Sequence, residues 1–103
     1  MNQREIKFRV WDIETKRMVY HFPIAKTKHS FNRYIQELQV YPLMQFTGLK
    51  DKNGEEIYEG DIVKEDNGTL LEVWWASGTW MGCARYEYCE VIGNIYENPE
   101  LLK

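Results

Sequence analysis

Apolar and charged residues alternate at the start of the chain, where Ile6, Phe8 and Val10 fall between Glu5, Lys7 and Arg9. A period of two predicts a half-buried strand with the charged residues on its outer face. Trp11 follows, then a polar turn over residues 12–16, then the β-branched and aromatic run MVYHF at residues 18–22. Together these predict an antiparallel hairpin. Pro23 closes it, because proline cannot donate to a central ladder. The period then changes. Phe31, Tyr34, Ile35 and Leu38 stand at i, i+3, i+4 and i+7, preceded by Ser30 and followed by Pro42. Serine can cap the first turn and proline disfavours helical geometry just before it, so one short helix is expected over residues 31–40.

From residue 43 onward the pattern is short apolar runs between turn residues. LMQFT at residues 43–47 predicts a strand, and Asn53-Gly54 supplies the positive φ angles of a tight hairpin turn. A short return over residues 55–58, a second turn at Glu59-Gly60-Asp61 and a new strand from Ile62 follow. After the Asp66-Asn67-Gly68 turn come strands expected over residues 69–76, 80–88 and 90–96, with a turn at Ser77-Gly78-Thr79 and a last helical turn at PELL. Strands this short, with turn signals this frequent, predict a mainly β (α+β) domain. Its expected form is a small antiparallel barrel-like sheet with an N-terminal hairpin and one short helix. Gly82 and Gly93 fall inside strand runs and predict bends or bulges. The whole chain, 1–103, is expected to be a single domain. Residues 1–42 supply hairpin and helix, and residues 43–103 the barrel-like part.

One run breaks the two-faced rule. Over residues 69–76 (TLLEVWWA), Leu71, Val73 and Trp75 alternate with Leu70, Glu72, Trp74 and Ala76, so both faces carry apolar bulk. Leu70 and Trp74 therefore need a cover, either the helix, a loop or another subunit.

Charge sharpens this. Residues 1–44 hold eight Lys/Arg and four Asp/Glu, a balance of +4; residues 45–103 hold five and twelve, a balance of −7; together they give the net −3. Such a split suits a basic part of one copy meeting an acidic part of the next. Leu70, Trp74 and Arg85 are the candidate interface residues, Arg85 being the lone cation between Asp66 and Tyr96. A single-stranded nucleic-acid site is the alternative, because small barrels present aromatic platforms and Trp74, Trp75, Trp80, Tyr86 and Tyr88 are all in one region. That region is poor in the cations a phosphate-tracking groove needs.

Little else points to chemistry. The two cysteines, Cys83 and Cys89, are expected as packed thiols, and His21 and His29 form no ligand spacing with them. The seven glycines are spaced as turns, not as a phosphate loop, and the two serines, Ser30 and Ser77, read as cap and turn. The cluster Glu55, Glu56, Glu59 and Asp61 is expected to solvate loops. No catalytic, cofactor-binding or metal residue is assigned, and neither enzyme activity nor a cofactor is expected. The charged, alternating N-terminus is no apolar leader, and no 18-residue apolar run occurs, so a cytoplasmic protein without membrane contact is expected.

REIKFRVWD at residues 4–12, LMQFTGLKDKNGEEIYEGDIVK at 43–64 and EVIGNIYENPELL at 90–102 closely resemble the YopX family of phage and prophage proteins of bacteria. The resemblance implies a mostly β fold with a barrel-like C-terminal part and a tendency to oligomerise. It implies no enzyme activity and supplies no site residues. The expectation is a phage or prophage accessory protein that acts through protein–protein contacts as a homo-oligomer, in the cytoplasm of the bacterial host.

Overall fold

A computed structural model describes residues 5–20 and 42–102. The helix expected over residues 31–40 lies outside the described residues. Within them the fold is mainly β, a curled antiparallel half-barrel. Strands β1 (Phe8–Asp12), β2 (Arg17–Tyr20), β3 (Leu43–Lys50) and β4 (Glu56–Tyr58) form one sheet in the order β2-β1-β3-β4. Strands β5 (Asp61–Lys64), β6 (Leu70–Glu72) and β9 (Glu90–Asn94) form a second, ordered β6-β5-β9. Strands β7 (Trp74–Ala76) and β8 (Thr79–Met81) form a separate two-stranded ribbon.

The predicted turns are where the sequence placed them. Gly54 takes φ 82° after β3, and the ribbon turns through Ser77 at φ 52° and Gly78 at φ 79°, a conformation matched to strand twist. The sheets curl because their ladders slip. Between Phe46 and Lys50 three residues of β3 oppose only Ile57, and between Ile62 and Val63 the partner strand carries Ile92 as an extra residue. At the first slip Thr47 fills the gap, donating its hydroxyl to the Ile57 carbonyl at 2.7 Å and accepting from the Leu49 N–H at 3.1 Å.

Three expectations about strands need correction. The run 69–76 is two strands, not one. It breaks at Val73, whose N–H donates to the Asp61 carbonyl and whose carbonyl accepts from Gly60, so Val73 leaves both ladders and sinks into the core. Trp75, expected to face inward with Leu71 and Val73, is 48% exposed. The expected strand over residues 80–88 ends at Met81 and is followed by a 3₁₀ turn at Tyr86–Tyr88. Gly82 explains the stop: its φ is 86°, and a Cβ there would lie 2.2 Å from the Glu72 carbonyl oxygen.

Ile57, Val63, Val73, Cys83 and Cys89 form the central cluster, with Leu49, Leu71, Trp80, Tyr86 and Val91 packed around it. Both cysteines are free and buried, behaving as small apolar residues. Burial pushes the Cys83 thiol up to about 11. The PELL segment is the expected helical turn, a 3₁₀ turn at Pro99–Leu102 that packs against β6.

Candidate functional site

Strand β1 does not present its charges to solvent. Arg9 is 2% exposed and Lys7 half-buried, while Val10 on the opposite face is buried as expected and Ile6, ahead of the strand, is 69% exposed against expectation. The reason lies about fifty residues downstream. Arg9 donates through Nη2 to Asp61 Oδ1 at 2.8 Å and to the Glu59 carbonyl at 3.2 Å, while Lys7 donates to Glu56. Aromatic rings cover both cations. Lys7 Nζ lies 4.7 Å from the Phe46 ring centroid, and the Arg9 guanidinium 4.8 Å from Tyr58 and 5.8 Å from Tyr20. Tyr58 itself packs edge-on to Tyr20 and tilted against Phe46.

Asp61 is therefore not part of a solvating acidic cluster. It is buried and bidentate, its Oδ2 accepting from the Tyr58 N–H at 2.7 Å while Oδ1 holds Arg9. Burial raises its carboxyl above the ordinary value of 3.8, and the Arg9 charge and Tyr58 N–H pull back part of that rise. Of the other three acids, Glu55 is exposed, and Glu56 and Glu59 are half-buried. A second buried carboxylate, Asp51, works in the same manner without a cation. Oδ1 accepts from the N–H groups of Asn53 and Glu55, and Oδ2 from that of Val91. Asn98 Oδ1 accepts from Asn94 N–H at 3.3 Å. These side chains cap outward N–H groups on β4 and β9, which blunts both edges against pairing with a further strand.

Beside the Arg9–Asp61 pair is a cleft of about 280 Å³ between the edges of β4 and β9. Arg9, Tyr20, Glu55, Glu56, Tyr58 and Asn94 are among its lining residues. Arg9 Nε and the Tyr58 hydroxyl, on two of these residues, are buried without a hydrogen-bond partner among the described residues. Burial raises the Tyr58 phenol, so it stays a protonated donor through neutral pH. Sequence alternation missed this site because it expected a solvated outer face on β1, whereas Val10 and Arg9, on opposite faces, are both buried. The clue was the long chain of turn-flanking acids at residues 55–61, which leaves a carboxylate available for each buried cation.

The three residues expected at an interface are not brought together on one sheet. Leu70 is half-buried on β6, the strand covered by the C-terminal turn. Trp74 stands on the ribbon, 49% exposed, directly across from Met81, which is 39% exposed. Arg85 is exposed and reaches Asp66 at 3.7 Å, with its guanidinium 5.5 Å from the Tyr88 ring. On the ribbon's other face Trp75 packs edge-on against Trp80 at 4.8 Å, and Trp80 anchors the ribbon to the core. Among the described residues no group of three or more His, Cys, Asp or Glu is placed to hold a metal ion. No helix among them is long and apolar enough to cross a membrane.

The family described as YopX protein matches residues 7–103. Among solved structures, the chain is similar to protein EF1440 from Enterococcus faecalis, at 29% identity and a TM-score of 0.71, covering 98% of this chain and 100% of that one. No curated protein matches.

Proposed function

The chain belongs to the YopX family, and from that premise we propose that it is a non-enzymatic phage or prophage accessory protein, acting in the host cytoplasm through protein–protein contacts as a homo-oligomer. One observation carries this reading: the Trp74–Met81 face of the ribbon is apolar, cross-strand paired and exposed. An exposed cross-strand tryptophan–methionine pair is expensive to leave wet and is typical of contact surfaces. The occupant is a second copy, whose N-terminal hairpin offers matching chemistry. Ile13 and Val19 are 44% and 43% exposed there, beside exposed Lys16 and Arg17. Those cations suit the −7 balance of residues 45–103.

The +4/−7 split is a weaker argument than it looks from sequence, because Lys7 and Arg9 are spent on Glu56 and Asp61 within the chain. The contact therefore rests on apolar burial, and salt leaves it intact. Light scattering at micromolar concentration should give a mass above that of the monomer in both low and high salt. Trp74→Ser with Met81→Ser should give a monomer with an unchanged far-ultraviolet spectrum. A wild-type monomer in both salts overturns the reading. The exposed Trp74 and Trp75 also keep base stacking in view, so the same samples should be titrated into labelled single-stranded oligonucleotides. Anisotropy change at tens of micromolar protein, with a monomeric mass, would favour nucleic acid instead.

A further inference from the structure

Two cleft-lining residues carry a buried hydrogen-bond donor with no partner among the described residues. Arg9 uses Nη2 twice, on Asp61 and Glu59, while its Nε stays unpartnered. The Tyr58 hydroxyl is unpartnered as well, on a residue only 2% exposed. A buried donor left without a partner is costly and rare, so two beside one cleft call for an acceptor. The charge of the cleft says what kind. Arg9 and Asp61 cancel one another, Glu56 is held by Lys7, and Glu55 stands exposed at the rim with its charge felt at Asp61. A second carboxylate inside would meet this acidic lining unfavourably, whereas a neutral carbonyl would not. At the rim the acids favour a cation. Tyr20, half-exposed on the edge strand β2, supplies an aromatic wall.

We propose that this cleft binds a small cation carrying a carbonyl oxygen next to its charge, the ammonium–carbonyl unit shared by amino-acid amides and peptide N-termini. The carbonyl accepts from Arg9 Nε and the Tyr58 hydroxyl, and the ammonium faces Glu55 and Glu56. Neither inner donor reaches bulk water, so the occupant reaches them by displacing the Tyr20 ring. The main-chain edges on either side are capped by Asp51, Asp61 and Asn98. Recognition is therefore by side chains, and a strand does not add there. A volume of about 280 Å³ holds one or two residues, not a long peptide.

Isothermal titration with four small probes tests this. Leucinamide carries both charge and carbonyl and should saturate the protein. N-acetyl-leucinamide lacks the charge, isoamylamine lacks the carbonyl and free leucine adds a carboxylate; each should bind at least about tenfold more weakly. A leucine-led tripeptide separates the sources: tighter binding than leucinamide assigns a peptide N-terminus, weaker binding a free amino-acid amide. Glu55→Gln should weaken leucinamide about tenfold with the unfolding midpoint unchanged. Tyr58→Phe is the sharper variant, because it removes an orphaned hydroxyl. It should raise the midpoint of the free protein while weakening leucinamide about tenfold. No saturation by any probe at ~10 mM overturns the proposal. So does a Tyr58→Phe protein that melts lower and binds unchanged, since the hydroxyl would then serve a structural water.

Discussion

Strand β1 and the β7–β8 ribbon invert the usual arrangement in opposite directions. In β1 a guanidinium is shut away from water at 2% exposure, held by a carboxylate from β5 and roofed by two tyrosines. On the ribbon two tryptophans stand about half in solvent. Single exposed apolar residues are ordinary on any surface, but a buried charge and an exposed cross-strand apolar pair are not. The two anomalies differ in what satisfies them. The buried charge is answered inside the chain, so it fastens the N-terminal hairpin to the half-barrel. The ribbon's outer face, with Trp74 and Met81 exposed, is the surface on which the proposed contact rests. One feature is internal to the described fold, and the other is where the proposed contact can be tested.

The comparison breaks most easily at Asp61. Asp61→Ala should leave the Arg9 guanidinium buried without its countercharge and strand the Tyr58 N–H. Breaking one side of a buried pair costs about 3–5 kcal/mol, a large share of the roughly 5–15 kcal/mol a domain has. Urea unfolding should show that loss, and the double variant Arg9→Met with Asp61→Leu should recover much of it. A single variant within 1 kcal/mol of wild type (by the same measure) would mean the pair does not fasten the hairpin.

Gly82 tests the joint between ribbon and core. A side chain there must take φ 86° and intrude on the Glu72 carbonyl at 2.2 Å, whereas at Gly78, with φ 79°, the space is open. Gly82→Ala should cost about 2–4 kcal/mol and Gly78→Ala about 1–2, the left-handed cost alone. Equal losses would show that the close approach to Glu72 does not matter.

Alkali probes the core that both regions border. The raised Cys83 thiol stabilises the fold fully below the ordinary thiol value of 9.0, and that contribution is lost as pH rises through about 11. Cys89, Tyr58 and Tyr96 are raised by burial too and act in the same direction. The urea midpoint should hold to pH 9 and then fall. Cys83→Ala should remove about 2–3 kcal/mol of the fall expected by pH 11, the equivalent of a two-unit shift. A midpoint as high at pH 11 as at pH 8 would contradict the burial of these groups.

Local chemistry made the turns legible. Asn53-Gly54 and Ser77-Gly78 need positive φ, and only a few residues supply it, so those hairpins could be read from dipeptides. The mainly β fold followed from runs too short for helices. What stayed hidden depends on partners distant in sequence. Alternation placed Val10 inward correctly but left the opposite face to solvent, and Arg9 was expected outward because its carboxylate lies 52 residues away. The break at Val73 was hidden for the same reason: its ladder is abandoned for backbone bonds to Gly60 and Asp61, which no apolar pattern encodes. The bulk on both faces of residues 69–76 was visible, and its consequence divided. Leu70 lies on the strand the C-terminal turn covers, and Trp74 remains uncovered.

The smallest effects are expected on the ribbon, where two neighbouring tryptophans separate its two faces. Trp75 contacts Trp80 edge-on at 4.8 Å and shares the face that joins the core. An aromatic pair of this geometry contributes about 0.5–1.5 kcal/mol beyond area, so Trp75→Ala should lower stability by about 1 kcal/mol. Trp74→Ala touches the opposite face and should stay within about 0.5 kcal/mol of wild type when measured dilute, where the chain is monomeric. At higher concentration the order should reverse. An oligomer stabilises its folded subunits by mass action, so wild type should melt higher as concentration rises while Trp74→Ala should not. Concentration-independent melting of the wild type would make Trp74 an ordinary surface residue, and the ribbon's exposed face would lose its meaning as a contact.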